Sequence, residues 1–464
     1  MQSMFSKERA ITSHADITTD IRAIAIYLPQ FHEIEANSRW WGEGFTEWTN
    51  VRSAESYYQG HYQPHIPHSD IGYYDLNDES VLERQAQMAK EHGIEGFCFY
   101  YYWFKGERLL EMPTDRLLAT GKPDFPFCFC WANENWTRTW DGGDQEVLMS
   151  QDYSDDNNEK IIRDLIPAFR DKRYIRVNGR PLFIVYRPTG IPKFPKVAKL
   201  WRKICREEGV GEIYLCGKRS FSHLENSELG LDASIQFPPL LTRSEDVRST
   251  KDLQCREGFR GHIHDYRELA ALNAFVDEKE GKIFSGICPS WDNTARRNER
   301  ATSWINSNPE NYYLWLKTIV ERTKEKFDPE ERFIFINAWN EWAEGCHLEP
   351  DKKYGYAWLN ATRKALCSSE TINQSRRPRV LVLGHDAARA GAQIVLLTML
   401  QEWHELGHFD FQLILLGDGV LRAEFEAVCP TIVISDYATE ALQKAALDAF
   451  CSESPDVILA NTGD

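Results

Sequence analysis

The fold class is indicated most clearly by the stretch Phe333-Ile-Phe-Ile-Asn-Ala-Trp-Asn-Glu341-Trp-Ala-Glu344-Gly345. Its first half is an apolar run typical of a buried strand, and the run leads directly into two glutamates three positions apart. If the strand gives way to a helical turn, Glu341 and Glu344 share one face, with Cβ atoms roughly 5–6 Å apart. Two carboxyl groups at that distance perturb each other's pKa, so that one can stay protonated while the other ionises.

The glutamate pair has two interpretations. Glycosidic cleavage by the commonest route needs an acid for the leaving oxygen and a base or nucleophile on the other side, and such a pair supplies both. The flanking Trp339 and Trp342 offer aromatic faces for a sugar ring. Alternatively, acidic residues in the first turn of a helix are stabilised by the helix dipole whatever the function. The position of the pair favours the chemical interpretation, because its strand is the last of eight predicted strands.

Eight apolar runs that end in polar or turn residues are predicted to be strands. They are Arg22–Gln30, Gly93–Phe104, Phe125–Asn135, Arg180–Arg187, Glu212–Lys218, Asp232–Phe237, Lys282–Asn293 and Arg332–Trp339. Predicted helices lie between several of them, at Glu79–His92, Asn157–Lys172, Lys193–Glu208, Asp265–Lys279 and Pro309–Lys326. The alternation predicts an α/β protein with a parallel sheet, closed as a (β/α)8 TIM barrel over residues 21–367. Active sites of such barrels lie at the C-terminal ends of the strands.

The predicted strand ends and the first connecting loop are rich in aromatic and amide side chains. The loop Phe31–Asp75 is long for a compact domain, and loops of this length are usually functional. Sugars present apolar faces and hydroxyl rims, which aromatic rings and amide or carboxylate groups match. We therefore predict a carbohydrate site at the barrel mouth, although aromatic side chains also fill large cores. The candidate substrate-binding residues are Trp41, His61, His65, Tyr101, Trp103, Trp131, Asn133, Asn135, Trp136, Arg138, Trp291, Asp292 and Asn340.

Several motifs resemble a known family. The runs Gly72-Tyr-Tyr-Asp75 and Asn340-Glu-Trp-Ala-Glu-Gly345, the second followed by Leu348-Glu-Pro350, resemble glycoside hydrolase family 99, the endo-α-mannosidases. The WbsX-type branch, found in bacterial surface-polysaccharide gene clusters of the O-antigen or capsule kind, is the closer match. Its resemblance rests on Gly44-Phe-Thr-Glu-Trp-Thr-Asn50, His61-Tyr-Gln-Pro-His65 and Trp131-Ala-Asn-Glu-Asn-Trp136, and it covers roughly Arg22 to Leu366.

The resemblance implies a retaining, endo-acting α-glycosidase or a transglycosylase, with mannosidase-like chemistry. In the hydrolase family one glutamate deprotonates the substrate 2-hydroxyl and the other protonates the departing oxygen, through a 1,2-anhydro sugar; these roles map onto Glu341 and Glu344. Glu134 would bind substrate hydroxyls, and Glu47 joins the substrate-binding group. The spacing alone does not choose between a base and a nucleophile. Ala343 stands where many of the hydrolases carry His, and the first loop differs, so the sugar need not be mannose.

A second domain is predicted after a polar linker at 368–377. Strands at Arg379–Gly384, Phe411–Leu416, Thr431–Ser435 and Asp456–Ala460 and a helix at Gly391–Leu406 indicate a doubly wound, Rossmann-like pattern. Residues 378–464 resemble the first part of a family 4 glycosyltransferase of the GT-B type. The spacing of the GxGxxG fingerprint is absent. The chain stops at Asp464, so we expect a partial domain without the nucleotide-sugar site, which lies mostly in the other half of such enzymes.

The composition argues against some classes of binding partner. A formal net charge of −16 argues against nucleic acid or an anionic membrane as a partner. No run reaches the ~20 apolar residues of a membrane span, and residues 1–20 form a polar tail without the apolar centre of a signal peptide. We expect a cytoplasmic protein, with a peripheral position at the inner membrane as a variant of that expectation.

The eleven cysteines suit reduced thiols. We predict no metal and no cofactor, because His61, His65 and His68 lack a strict ligand spacing.

Three functional hypotheses remain open, all with an oligosaccharide or polysaccharide partner. The first is a glycosidase or transglycosylase that trims or releases a glycan near the polysaccharide-assembly machinery. The second is a glycosyltransferase component of polysaccharide synthesis. The third is a glycan-binding barrel that serves the attached transferase without catalysis. The intact Glu341 and Glu344 pair argues against the third, because binding alone does not require two coupled carboxylates.

Overall fold

Eight parallel strands close into a barrel in the computed structural model of the chain. The structure describes residues 5–9, 19–138, 143–220, 222–248, 251, 253–274, 281–367, 379–406, 409–451, 455 and 457–461. The barrel strands are β1 (Arg22–Tyr27), β2 (Gly96–Phe104), β3 (Phe127–Trp131), β4 (Arg180–Val185), β5 (Tyr214–Arg219), β6 (Ala233–Gln236), β7 (Ile283–Ile287) and β8 (Phe333–Ile336). Each pairs in parallel with its neighbours in chain order, and β1 pairs with both β2 and β8. The predicted barrel and all eight of its strands are confirmed.

Helices lie outside the barrel strands, and the long ones bury an apolar face against the core. They are α1 (Glu35–Trp41), α2 (Glu47–Ser53), α3 (Glu79–Glu91), α4 (Met112–Thr120), α5 (Asp155–Arg170), α6 (Phe194–Glu207), α7 (Asn226–Leu229), α8 (Tyr266–Asn273), α9 (Thr294–Arg297), α10 (Pro309–Lys326) and α11 (Ala357–Leu366). Side-chain caps fix several of their starts; Asn308, for example, accepts a hydrogen bond from the N–H of Asn311 before Pro309 begins α10. The predicted helix Asp265–Lys279 is shorter than expected where described, and residues 275–280 lie outside the described part.

Strand alternation decides which aromatic side chains face the barrel interior. Along β2, Tyr100 and Tyr102 point inward, whereas Tyr101 donates a hydrogen bond to Asp164 on α5. Trp103 likewise donates from Nε1 to Asn157 at 3.0 Å. One strand therefore supplies both the mouth and the packing of the helical layer.

Short strands lie outside the barrel sheet, most of them after the C-terminal ends of barrel strands. Trp136–Arg138 pairs with Gly143–Met149 after β3, and Asn340–Glu341 pairs with Cys346–His347 after β8. The parallel pair His262–Asp265 and Thr302–Ile305 adds a ribbon beside β7. Two further short strands pair antiparallel with barrel strands: Glu107–Leu109 with the end of β2, and Arg176–Val177 with the start of β4.

The C-terminal unit is a separate four-stranded parallel sheet. Its strands are β9 (Arg379–Gly384), β10 (Asp410–Leu415), β11 (Thr431–Val433) and β12 (Val457–Asn461), in the order β11-β10-β9-β12, and its helices are α12 (Gly391–Leu406), α13 (Arg422–Val428) and α14 (Glu440–Phe450). It packs on the barrel through α14: Thr318 on α10 donates to the carbonyl of Ala449 at 3.0 Å. A buried ion pair joins Arg267 on α8 to Asp436. The predicted linker lies outside the described residues.

No helix in the described part of the chain is long and apolar enough to cross a membrane. The predicted location in the cell stays a prediction.

Candidate active site

One guanidinium joins three carboxylates at the C-terminal mouth of the barrel. Arg296 Nη2 lies 2.7 Å from Glu47 Oε1 and 2.7 Å from Glu341 Oε2, and Arg296 Nη1 lies 2.7 Å from Glu344 Oε1. Glu47 is fully buried, and the side chain of Arg296 is 16 % exposed. We call these four residues the carboxylate cluster. The predicted pair Glu341 and Glu344 is its centre.

The chain after β8 places both glutamates by a sharp reversal. Glu341 ends a two-residue strand, and Trp342–Glu344 form one 3-10 turn, so the two side chains leave the backbone on the same side. Gly345 ends this turn with φ 56°, and a Cβ there would lie 3.0 Å from the Cβ of Asp292. A side chain at this position would therefore strain the turn and crowd its neighbour.

Asn340 joins the turn to the first strand. Its Oδ1 accepts from the N–H of Leu28 at 2.7 Å and its Nδ2 donates to the Leu28 carbonyl at 3.0 Å. The side chain thus continues the β1–β8 pairing beyond the end of the sheet. This predicted substrate contact is fully buried and has a structural role instead.

Burial has the largest effect on the pKa values of Glu341 and Glu344. Loss of hydration raises the pKa of Glu341 to about 8, although Arg296 opposes the shift, and the charge of Glu344 adds to it. Burial also raises the pKa of Glu344, whose side chain is 21 % exposed against 5 % for Glu341. The two carboxyls can therefore hold one proton between them near neutral pH.

The loop after β1 supplies the third carboxylate. Glu47 begins α2, and its Oε1 also accepts from the backbone N–H of Ala343 at 3.3 Å. Trp48 beside it packs on Trp342 with ring centroids 5.3 Å apart. The loop therefore covers the segment that carries the glutamate pair, as its length predicted.

Asp292 holds the loop and the mouth together. Its Oδ2 lies 2.6 Å from His61 Nε2 and accepts from Gln63 Nε2 at 2.8 Å. The backbone N–H of Tyr57 donates to His61 Nδ1 at 2.9 Å, so the proton of the neutral ring sits on Nε2 and is donated to Asp292. Burial alone would raise the pKa of Asp292, but the hydrogen bond from His61 holds it below its usual range. The backbone N–H of Asp292 also donates to the Glu344 carbonyl at 2.7 Å.

A lysine inside the barrel lies beneath the pair. Lys218 is the penultimate residue of β5, and its Nζ donates to Tyr100 Oη at 3.1 Å and lies 3.3 Å from the ring centroid of Phe237. Burial lowers its pKa, and the charges of Glu341 and Glu344 act in the opposite direction. This cation partly balances the negative charge of the mouth.

Other predicted substrate residues reach the rim. Trp136 is half-buried, with its ring 5.2 Å from that of Tyr102. Glu134 forms an ion pair with Arg187 at 3.1 Å and is partly exposed, and burial raises its pKa. Asn135 is exposed and accepts from the N–H of Gln151. Trp41 is half-buried near Phe45, and the side chain of Arg138 lies outside the described residues.

Some predicted contacts point away from the mouth. Tyr101, Trp103 and Trp131 face the helical layer, because successive strand residues alternate between the two faces of the sheet. Asn133 is buried and pairs with the backbone of Arg187 through both ends of its amide. Trp291 is buried as well. Tyr101, Trp103, Trp131 and Asn133 therefore have structural contacts, and the assignment of Trp291 to substrate stays a prediction.

Trp339 and Trp342 are also unavailable for sugar stacking. Both are buried, and their indole N–H groups donate to Glu349 at 3.2 and 2.7 Å. Gln85 and Tyr74 donate to the same carboxylate at 2.6 and 3.0 Å. Burial raises the pKa of Glu349 to about 7, against the effect of these four donors. Glu349 thus fixes the scaffold beneath the turn.

Sequence reasoning missed Arg296 and Lys218. Arg296 lies in α9, a single turn after β7 and close to Trp291-Asp-Asn293, which was already predicted to line the mouth. A cation at a strand end opposite an acidic pair was the available signal. Lys218 ended a predicted strand, and its charge in an otherwise apolar run marked it.

Comparison with known proteins places the chain in a family. A family model described as "Glycosyltransferase WbsX" matches residues 23–362. The chain belongs to the WbsX family. This confirms the predicted WbsX-type relationship over the barrel, while the relationship of residues 378–464 to a glycosyltransferase stays a prediction.

The curated WbsX relatives are longer proteins. Two uncharacterized proteins named WxcX, from two strains of Xanthomonas campestris pv. campestris, are 42 % identical to the chain over 349 residues. The match covers 75 % of this chain and 50 % of each relative, so the chain spans about half the length of the curated relatives it matches.

Solved structures similar to this WbsX chain include the GH99 endo-alpha-mannosidase of Bacteroides thetaiotaomicron. It is 14 % identical with a TM-score of 0.46, and the alignment covers 75 % of this chain and 97 % of the mannosidase. Its complex with bis-tris-propane aligns with a TM-score of 0.45 at the same identity and coverage.

Proposed function

We propose that the WbsX barrel is a retaining, endo-acting α-glycosidase or transglycosylase of surface-polysaccharide metabolism, and that Glu341 and Glu344 carry the reaction. The observation that supports this most is the carboxylate cluster, in which the buried Glu341 and the partly exposed Glu344, both with raised pKa values, lie at the C-terminal mouth of the barrel. Glycosidic cleavage requires one carboxyl that can donate a proton and a second that can act as base or nucleophile. A pair that shares one proton meets both requirements.

Arg296 holds both glutamates in place without fixing which of them carries the proton. Its guanidinium stabilises the ionised form of either glutamate, while burial stabilises the protonated form. A sugar hydroxyl that enters between Arg296 and a glutamate replaces one hydrogen bond with another. The ion pairs thus preorganise the site before substrate binds.

The two roles are proposed as the resemblance implies them, with Glu341 as the base toward the 2-hydroxyl and Glu344 as the acid toward the leaving oxygen. In the free protein, burial favours the proton on Glu341. Substrate must therefore shift that proton to the more exposed Glu344 before the reaction. The opposite assignment needs no such shift, which makes the choice an experimental question.

Leaving-group chemistry distinguishes the two assignments. A glycoside with a strongly activated leaving group needs no proton from an acid, but it still needs the base. We expect Glu344→Gln to lose cleavage of the natural polysaccharide and to retain cleavage of an activated aryl glycoside. Glu341→Gln should lose both. The reverse pattern would assign the acid to Glu341, and full activity in both variants would refute the proposal.

The first measurement uses surface polysaccharide from the source bacterium, incubated with wild type, Glu341→Gln, Glu344→Gln and the control Glu207→Gln. Glu207 is an exposed residue of α6 that pairs with Lys203. Products are followed by mass spectrometry.

A substrate that lacks the 2-hydroxyl should resist cleavage if a 1,2-anhydro sugar forms, and normal turnover of it would exclude that route.

A second candidate is a role in glycan synthesis, with residues 378–464 as part of a GT-B-type glycosyltransferase. The name of the family, glycosyltransferase WbsX, and the packing of the C-terminal unit on α8 and α10 favour it. Release of nucleoside diphosphate from a nucleotide sugar, dependent on a glycan acceptor, would support this candidate. Cleavage of polysaccharide that both glutamate variants lose would support the first.

A further inference from the structure

A cluster of two histidines and one aspartate lies outside the carboxylate cluster. His65 comes from the loop 31–75, His347 from the short strand Cys346–His347, and Asp351 from the turn that follows. One ligand atom from each lies within 4.8 Å of the other two, and all three residues are buried. We propose that these residues form a binding site for one divalent transition metal ion of the zinc class, which clamps the loop to the segment that carries Glu341 and Glu344.

The hydrogen bonds of His347 fix which nitrogen is available. His347 Nδ1 lies 2.9 Å from the backbone carbonyl of Glu349, which can only accept, so Nδ1 carries the proton. The other nitrogen, Nε2, therefore presents its lone pair to His65 Nδ1 at 2.9 Å. Metal-bound histidines have this same arrangement, with the far ring nitrogen donating to a carbonyl or carboxylate.

The distance between the two nitrogens suits two ligands of the same ion. Two ligands at about 2.1 Å from an ion lie about 3.0 Å apart in octahedral and about 3.4 Å apart in tetrahedral geometry. The observed 2.9 Å needs little or no opening for the first and about half an ångström for the second. The ion would take the place of the proton now shared by the rings, and the neutral His65 would carry its own proton on Nε2.

The protonation states agree with metal binding. Burial lowers the pKa of His65 to about 4 and lowers that of His347 well below its usual range, so both rings are neutral, the form that binds metals. Burial raises the pKa of Asp351 to about 6. A divalent cation beside this carboxylate would offset the cost of burying its charge. Two imidazoles and one carboxylate form a ligand set typical of zinc and related divalent ions.

The position of the site gives the ion a structural role. The ring of His347 stacks on that of Trp342 at 3.6 Å, one residue from Glu341. The loop already meets this segment through two backbone hydrogen bonds, from His68 to Pro350 and from Lys352 to Ile66. An ion at His65 would add a metal-mediated connection to these.

Metal stoichiometry and spectroscopy test the proposal without any assay of activity. The whole chain is stripped with a chelator, incubated with Zn²⁺ or Co²⁺, desalted and analysed by plasma mass spectrometry, and the Co²⁺ form is examined by visible absorption. We expect about one ion per chain, a Co²⁺ spectrum typical of imidazole ligands, and a melting temperature that the ion raises. His347→Gln and Asp351→Asn should each lose all three effects.

A matched control separates the site from surface binding. His262 and His264 lie close together beside Asp246, with His262 exposed, so the double variant His262→Gln/His264→Gln removes a surface pair of the same composition. This control should bind metal as wild type does. Failure of the folded wild type to retain Zn²⁺ or Co²⁺ would overturn the proposal, as would equal retention by Asp351→Asn and His347→Gln. The Co²⁺ titration of wild type decides the question even if one variant fails to fold.

Discussion

Glu349 and the pair Glu341 and Glu344 lie within nine residues of each other after β8, and their surroundings differ. Glu349 accepts hydrogen bonds from four neutral donors, two indoles, an amide and a phenol. Glu341 and Glu344 share one charged partner, Arg296. Burial raises the pKa in both places. The difference is that the donors of Glu349 are themselves fixed in the core, whereas the partner of the pair lies at the open mouth.

The comparison distinguishes a carboxylate that supports the scaffold from carboxylates that can exchange their partner for substrate. A carboxylate with four fixed neutral donors is stabilised as an acceptor and has no free oxygen for substrate. A carboxylate held by one shared guanidinium can exchange that contact for a substrate hydroxyl. The same residue type therefore serves the scaffold in one place and is available for proton transfer in the other.

The largest expected effect is on catalysis by Glu344→Gln. Removal of a general acid costs roughly 10²–10⁴-fold in rate, so we expect polysaccharide cleavage to fall by about 10³-fold. Unfolding by urea should change little, because Arg296 keeps Glu47 and Glu341. A variant that unfolds easily would show that this carboxylate serves the scaffold as Glu349 does.

The next effect is on stability, through Glu349→Gln. An amide in this position turns its NH₂ toward two of the four donors and leaves them unpaired, which should lower the free energy of unfolding by about 2–4 kcal/mol. Glu341→Gln is the matched comparison, and we expect a loss of less than about 1 kcal/mol, because two carboxylates remain on Arg296. Equal losses in urea titrations of the two variants would erase the distinction between the groups.

The pH dependence of stability gives a graded effect, spread over several pH units. The pKa of Glu341 rises on folding from its ordinary 4.5 to about 8, so between these values the folded chain binds more protons than the unfolded chain. Stability should therefore fall as pH rises through this window, by up to about 1.4 kcal/mol per pH unit for one such group.

Glu341→Gln tests this slope directly. Because glutamine does not titrate, the variant should show a shallower decline between pH 5 and pH 8, measured by urea unfolding at about half-unit steps. Glu207→Gln, a surface control, should keep the wild-type slope. A slope that Glu341→Gln leaves unchanged would place the titration elsewhere, with Glu349 as the next group to examine.

The smallest expected effect belongs to Glu134→Gln at the rim. Its ion pair with Arg187 is partly exposed, and such pairs are worth about 0.2–1 kcal/mol. We expect KM for the polysaccharide to change by roughly two- to fivefold with kcat unchanged. A loss of kcat as large as that of Glu344→Gln would move Glu134 into the reacting centre.

The sequence predicted the barrel well because each strand is a short apolar run that ends in polar residues, a local signal. It also predicted Glu341 and Glu344, because their strand was the eighth. It failed for Tyr101, Trp103 and Trp131, since a run that is apolar on both faces does not reveal which residues point inward. Arg296 was missed because it acts from a single helical turn in an irregular connection. Its contacts come from segments 249 and 45 positions away, which no local pattern records.

The pairing of β1 with β8 has a consequence for the order in which the protein is made. Arg22 lies opposite Phe333, so the edge of the first strand has no partner until more than 300 further residues have left the ribosome. An unpaired strand edge can join other chains. The carboxylate cluster likewise stays incomplete until Glu341 and Glu344 have been made. A nascent chain that stalls before β8 thus has an open edge and an incomplete mouth, and chaperones would meet it at that stage.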